Sequence, residues 1–187
     1  MTPRATLTAP DKKESPSPFR SFRILGIDPG TVRLGYGVIE CRGAGAGQVT
    51  YVECGVIAAS PREARAVRLA EIGRGLRELM SEVRPDAVAM EDAFFGANVQ
   101  STLALGEARG MALFVAAEHG LDVAGYPPAT VKQAVVGHGR ATKQQVGFLV
   151  RALLSMRRTP SPDAADALAI AICHARRRGV RRAGAGA

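Results

Sequence analysis

The order of hydrophobic and polar residues along the chain predicts a sheet first and mostly helices after it. Three segments rich in Val, Ile and Tyr are separated by glycine-containing turns, at Arg23 to Asp28, Gly35 to Cys41 and Val49 to Ala58. Strand-forming segments joined by short turns are typical of consecutive antiparallel strands. The pattern therefore predicts a three-stranded antiparallel meander.

The hydrophobic period changes after the third segment. Apolar residues recur at steps of three and four from Leu69 to Val83, which predicts an amphipathic helix that ends before Pro85. Strand-like and helical segments then alternate, at Asp86 to Glu91, about Asn98 to Glu118, Leu121 to Tyr126, Val131 to Val136, Lys143 to Leu154 and Asp163 to Ala175. Such alternation implies parallel strands joined by crossovers. We therefore predict an α/β fold with a five-stranded mixed sheet, three antiparallel strands followed by parallel ones, and helices on both faces.

The two ends of the chain differ in composition from this central part. Residues 1–20 are rich in Pro, Ser and Thr, contain no apolar run of signal or membrane-span length, and are expected to be a disordered arm. Residues 177–187 are basic and rich in glycine, and are expected to be a flexible tail. Residues 21–176 are left as one folded domain.

The charge balance narrows the class of partner. The 187 residues include 25 Lys and Arg against 17 Asp and Glu, a net charge of +8. An excess of positive charge favours a polyanionic partner, with nucleic acid first and a membrane surface or the ribosome as alternatives. Cys41, Cys54 and Cys173 match no zinc-binding or disulfide pattern, so we expect reduced, structural thiols in a cytoplasmic protein.

Two acidic residues stand where apolar strands stop. Asp28 ends the first predicted strand and is followed by Pro29 and Gly30, so it has an ordinary alternative role in a turn. Glu91 ends the fourth predicted strand in the same way. Ligands of α/β sheets gather outside the carboxyl ends of strands. If these two strands are neighbours, their carboxylates lie within reach of a shared metal ion.

Two further acids begin the last predicted helix, behind Ser161 as the N-cap and Pro162 at the first helical position. Asp163 has an ordinary alternative role, because acids in a first turn complement the helix dipole. Asp166 lies near the side that should pack on the sheet, where an uncompensated acid is costly.

Four acids without histidine or cysteine are hard oxygen ligands, which suit Mg²⁺ or Mn²⁺ better than zinc. The chemistry that such a site supports is two-metal hydrolysis of a phosphodiester. We expect the four acids to meet at one place and to be compensated by metal rather than by arginine or lysine.

Four separated motifs resemble those of the RuvC family, the bacterial Holliday junction endonucleases of the ribonuclease-H-like superfamily. They are GIDPGTVRLGYGVI, MEDAFFGANVQSTLALGEARG, ATVKQAVVGHGRATKQQV and DAADALAIAICH, in one order from about Ile24 to His174. The resemblance implies a ribonuclease-H-like fold and a homodimer that nicks two strands of a four-way DNA junction symmetrically. It also implies two Mg²⁺ per active site, with Mn²⁺ as a substitute, and work with the RuvA and RuvB branch-migration complex. The family's acidic positions fall on Asp28, Glu91, Asp163 and Asp166.

Several aromatic and basic residues are candidates for DNA contacts. Phe94 matches a wedge phenylalanine of similar enzymes, whereas Phe95 is a candidate by adjacency; packing on the core is the alternative for both. Lys132 and Lys143 match basic positions of the family, and Arg140 is a candidate by proximity alone. A solvated helix surface is the alternative for all three.

Close packing is predicted where two small residues stand four apart on the long helix. Gly106 and Gly110 permit it either against the sheet or against a second subunit, and the sequence does not separate these two possibilities.

Three other functions stay open at this point. The GIDPGT motif is also similar to the phosphate-binding hairpin of actin-like and sugar-kinase ATPases, although those chains need two lobes and this chain is long enough for one. A RuvC-like nuclease acting on other branched or RNA-containing substrates is the second alternative. The third is a basic nucleic-acid-binding module without catalysis, in which the acids only cap helices and form turns.

Overall fold

Five strands form one mixed sheet in the computed structural model, which describes residues 21–42, 48–92 and 99–184, with side chains to residue 178. The strands are β1 Phe22–Asp28, β2 Arg33–Arg42, β3 Gln48–Ala58, β4 Ala87–Glu91 and β5 Val123–Tyr126. Their order in the sheet is β3-β2-β1-β4-β5. β1, β2 and β3 pair antiparallel, while β4 and β5 join in parallel. The predicted mixed sheet is confirmed.

Helices cover both faces of this sheet. They are α1 Arg65–Val83, α2 Val99–Glu118, α3 Pro128–Val136, α4 Lys143–Leu153 and α5 Pro162–Gly184. One core lies between the sheet and the first two helices, around Ile72, Leu76 and Val115. The other lies under the remaining three, around Val146 and Leu168. Burying apolar surface on both faces makes the sheet a rigid base for its edges.

The last helix is longer than predicted. We expected it to stop near Ala175 and a flexible tail to follow from residue 177, but α5 continues to Gly184. The tail prediction was wrong over residues 177–184 because the first part of that basic segment packs on the domain. The guanidinium of Arg178 lies 3.2 Å from the ring centroid of Phe22, and Arg176 donates to the carbonyl of Ala134. The predicted N-terminal arm and residues 185–187 lie outside the described residues.

Two glycines let α5 lie directly against the sheet. A Cβ at Gly26 of β1 would stand 2.0 Å from the carbonyl oxygen of Ala167, and one at Gly35 of β2 would stand 2.2 Å from that of Asp163. No real side chain fits such distances, so both positions require glycine. The close contact presses the first turn of α5 onto the ends of β1 and β2.

The three cysteines differ in burial. Cys173 is buried, Cys41 and Cys54 are partly buried, and all three are free. A membrane-spanning helix was not expected, and none of the helices within the described ranges is long and apolar enough to cross a bilayer.

Candidate active site

Two acidic side chains stand side by side where β1 and β4 end. Ile27 pairs with Met90 across the two parallel strands, so Asp28 and Glu91 are the next residues along the same edge of the sheet. The two acids were predicted to share a metal ion only if these strands are neighbours, and β1 and β4 are neighbours. Parallel strands put their carboxyl ends at one edge, which is the usual place for a ligand site.

The first turn of α5 brings the other two acids to this edge. Gly35 pairs with Asp28 across β1 and β2, and the same glycine lies against the backbone of Asp163. Asp163 and Asp166 are three residues apart, which places them on one side of the helix. Both of their charges act on the carboxyl of Asp28. The four predicted acids therefore meet around Asp28.

The electrostatics of Asp28 reflect this crowding. Burial is the largest cause that raises the pKa of Asp28, from 3.8 to about 7, and repulsion from Asp166 and Glu91 adds to it. The pKa of Glu91 is also raised, first by burial and then by the charge of Asp166. Within the described part of the chain, neither carboxylate makes a hydrogen bond or an ion pair. They form a partly buried acidic pair without a bonded counterion.

Lys143 supplies a positive charge to the cluster. Its Nζ donates to Oδ2 of Asp166 at 3.0 Å, and its charge lowers the pKa values of Asp28 and Glu91. The hydrogen bond to Asp166 is also the main reason that the pKa of Lys143 is raised. A capping box holds the backbone here, since Thr142 and Gln145 exchange hydrogen bonds of 3.2 and 2.8 Å at the start of α4.

Arg33 supplies a second positive charge that the sequence argument missed. Its Nε donates to Oδ2 of Asp163 at 2.7 Å. The expectation that metal alone compensates the acids was therefore wrong for Asp163 and Asp166, each of which is paired with a basic side chain. A partly buried carboxylate is costly without opposing charge, and the chain itself provides that charge at these two positions.

A divalent cation fits the remaining chemistry of the site. As the side chains are placed, the described residues contain no group of three Asp, Glu, His or Cys arranged to hold a metal ion. The unpaired Asp28 and Glu91 are nevertheless hard oxygen donors whose mutual repulsion a cation would relieve. Asp163 and Asp166 would complete the ligand set by exchanging their bonds to Arg33 and Lys143.

The other predicted site residues divide into three groups. The charge of Lys132 lowers the pKa of Glu91, so this lysine lies near the cluster. Arg140 is exposed and makes no hydrogen bond or ion pair with described residues, so the structure adds nothing to its prediction by proximity. Phe94 and Phe95 lie outside the described residues, and their roles stay predictions.

A further arginine fixes the end of β4. Arg109 of α2 donates to the backbone carbonyl of Glu91 and, at 3.0 Å, to Oδ1 of Asp92. Arg109 was not among the predicted site residues, although an arginine within a mostly apolar helix was a usable signal. We interpret it as a support that holds the Glu91 backbone in place.

The pKa of Asp28 predicts a pH dependence of folding stability. In the unfolded chain this carboxyl has its ordinary pKa of 3.8, and in the folded protein about 7. Its contribution to stability is fully present below the unfolded pKa and is lost as the pH rises through about 7. In EDTA, Asp28→Asn is therefore expected to be more stable than the wild type at pH 8, by on the order of a few kcal/mol, and to lose that advantage toward pH 4.

Urea unfolding at several pH values between 4 and 8 measures this difference. The matched control is Asp86→Asn, which removes a carboxylate at the opposite end of β4 that accepts from the backbone NH of Arg23 at 2.8 Å. Parallel stability curves for the wild type and Asp28→Asn would show that Asp28 ionises normally.

Comparisons with known proteins agree with this geometry. A family model described as crossover junction endodeoxyribonuclease RuvC matches residues 24–174. The chain is 51% identical over 154 residues to the Bordetella avium protein of that name, covering 82% of this chain and 83% of the relative. The structure of Thermus thermophilus RuvC in complex with a Holliday junction substrate is similar, with a TM-score of 0.77 and 38% identity over 87% of this chain and 96% of that one.

A more distant structure shares the fold. The yeast mitochondrial Holliday junction resolvase Ydc2 matches with a TM-score of 0.61 over 90% of this chain and 85% of that one, at 15% identity. At that identity the likeness supports the architecture alone. It agrees with the predicted α/β fold.

Proposed function

This chain belongs to the RuvC family of crossover junction endodeoxyribonucleases, and we infer from that membership that it is an endonuclease that resolves Holliday junctions. The similar Thermus protein has a Holliday junction as its substrate, and it aligns with 87% of this chain. In the structure, the observation that carries the proposal is the pair of Asp28 and Glu91. Two unpaired acids at the carboxyl edge of a sheet, beside two more, are the groups that metal-assisted hydrolysis of a phosphodiester needs.

Family membership implies a divalent metal, and we propose two Mg²⁺ ions with Mn²⁺ as a substitute. Asp28, Glu91, Asp163 and Asp166 would hold them, and all four would act as the catalytic acids. When bound, such ions supply Lewis-acid stabilisation of the phosphate and activate water near neutral pH.

The chain's own basic residues have a separate part in this proposal. Lys143 has 80% of its side chain exposed even while it is bonded to Asp166, so its ammonium can turn from that carboxylate to a DNA phosphate. The charge of Lys132 acts on Glu91, so this lysine lies near the cluster and would contact the backbone of the same strand. Both lysines would hold the strand at the acids without contributing sequence preference.

We also propose that the enzyme works as a homodimer through α2. The outer side of this helix carries exposed apolar residues, with Val99, Leu103 and Phe114 exposed by 80%, 60% and 62%. Gly106 and Gly110 lie on the same stripe, and among the described residues nothing beyond the helix's own backbone lies within 4 Å of a Cβ built at either. Neither glycine is packed on the sheet, which supports the second of the two possibilities predicted for them, contact with another subunit. Apolar patches of this kind mark interaction surfaces.

Two copies would give the reaction its symmetry. Each subunit would nick one of two strands of like polarity, and the cuts would carry 5′ phosphates that can be ligated.

Other predicted residues would contact the junction away from the acids. Phe94, with Phe95 beside it, would insert between bases near the crossover, and Arg140 would add a phosphate contact. RuvA and RuvB would move the junction. We place this work in the cytoplasm, with the chromosome.

Cleavage of a synthetic four-way junction tests the proposed function. We expect the wild type to cut the junction at least tenfold faster than a linear duplex containing the same sequences in Mg²⁺, and to cut neither in EDTA. Paired nicks in opposite arms, analysed on a denaturing gel, are the expected products. Equal rates on both DNAs, or cleavage that persists in EDTA, would contradict the proposal.

A further inference from the structure

Arg33 stands at the rim of the acidic cluster and is not explained by the family resemblance. It is the first residue of β2, and its Nε is bonded to Asp163 at 2.7 Å. The strand start is fixed on one side by pairing of Gly35 with Asp28 and on the other by contact of Gly35 with Asp163. The base of the arginine side chain is therefore held rigidly beside the site.

Most of the hydrogen-bonding capacity of Arg33 is unused. A guanidinium has five N–H donors in a planar fork, and one of them meets Asp163. Its two terminal amino groups donate to no other residue in the described part of the chain. The side chain is 55% exposed, against 34% for its partner Asp163, so the free edge of the guanidinium faces solvent.

The charges around the site indicate a function for the free edge of the Arg33 guanidinium. A DNA strand that approaches four carboxylates is repelled unless positive charge lies between the acids and the phosphates. Lys143 provides such a charge on the α4 side of the cluster, through Asp166. Arg33 is the equivalent on the β2 side, through Asp163. Guanidinium groups bind a carboxylate on one edge and a phosphate on another, and their charge does not titrate in proteins.

We propose that Arg33 is a DNA-contacting residue of this enzyme: its terminal amino groups hold a phosphate of the bound strand, and its Nε bonds Asp163 while the site holds no metal. This inference rests on the proposed function, because the phosphate belongs to the junction that the enzyme cuts. Arg33 and Lys143 would then contact the DNA strand on opposite sides of the four acids.

Salt dependence of junction binding tests this contact. Affinity for a fluorescently labelled synthetic four-way junction is measured by anisotropy in EDTA, between low and physiological salt. Loss of one phosphate contact reduces the slope of log affinity against log salt by about 0.9. We therefore expect that reduction for Arg33→Gln, with affinity lower by about tenfold. Arg33→Lys is expected to restore the slope, because it keeps one charge on the phosphate.

Arg42→Gln is the matched control. Arg42 lies at the other end of β2, is 68% exposed, and makes the same type of ion pair through Nε, at 3.0 Å to Glu40. The control is expected to keep the wild-type slope and affinity.

Two results would overturn the inference. An unchanged slope for Arg33→Gln would mean that Arg33 only neutralises Asp163, and an equal loss in Arg42→Gln would mean that overall charge is responsible. Both differ from failure of the proposed function, which would appear as a wild type that does not prefer the junction to a linear duplex.

Discussion

Asp28→Asn is expected to slow junction cleavage by about a thousandfold or more while the junction still binds. A carboxamide has nearly the same size as the carboxylate but carries no charge, so it is a poor ligand for a divalent cation. Asp28 is the acid on which the other three charges converge. Metal assistance contributes several kcal/mol to hydrolysis, and each 1.4 kcal/mol or so changes a rate tenfold.

The cleavage rate is measured under single-turnover conditions in Mg²⁺, and junction binding is measured in a second assay. Together they distinguish a loss of catalysis from a loss of binding. Asp86→Asn is again the control, because its carboxylate bonds the backbone of Arg23 at the far edge of the same sheet. It is expected to cleave at a rate within about threefold of the wild type. If Asp28→Asn kept a tenth or more of the wild-type rate, Asp28 would not be a metal ligand.

Gly110→Leu is expected to convert the protein to monomers and to reduce paired cleavage by at least tenfold. Beyond the backbone of α2 itself, nothing in the described chain lies within 4 Å of a Cβ added at Gly110. Leucine also favours a helix more than glycine does, so the fold itself is not expected to lose stability. The added bulk obstructs only a partner that packs closely on α2, between the exposed Leu103 and Phe114.

Sedimentation velocity measures the oligomeric state, and a labelled junction reports whether one or both strands are nicked. Ala152→Leu is the control, since it adds a similar side chain to an exposed position on α4, on the other face of the sheet. A Gly110→Leu protein that remains dimeric and makes paired nicks would place the subunit contact elsewhere.

The sequence was most informative where local chemistry and hydrophobic pattern coincide. Continuous apolar runs that stop at Asp28 and at Glu91 identified both strands and both acids. Their proximity was only conditional, since the pairing of Ile27 with Met90 joins segments that are far apart in the chain. Hydropathy describes which face of a strand is buried, and it does not identify the neighbouring strand.

Long-range ion pairs could not be predicted in the same way. Arg33 and Asp163 are 130 residues apart, and their contact depends on how closely α5 approaches β2 at Gly35. The hydrophobic periodicity of the sequence does not show how closely α5 approaches β2. This is why the acids were expected to depend on metal alone.

The length of α5 and the orientation of α2 were difficult to predict for a related reason. Arginine favours helices, and the basic segment after Ala175 continues α5 once Arg178 can stack on Phe22. Composition alone made this segment resemble a tail. In α2, apolar residues surround the helix, so the pattern predicted the helix but not which side faces the sheet.

A crystal structure of the protein with Mn²⁺ shows whether the four acids hold a metal ion, because the anomalous signal of manganese locates the ion without reference to activity. We expect manganese bound to Asp28 and Glu91, with Asp166 turned from Lys143 toward the ion. A structure at saturating Mn²⁺ that has no ion among these side chains, and in which Lys143 and Arg33 still hold Asp166 and Asp163, would contradict it.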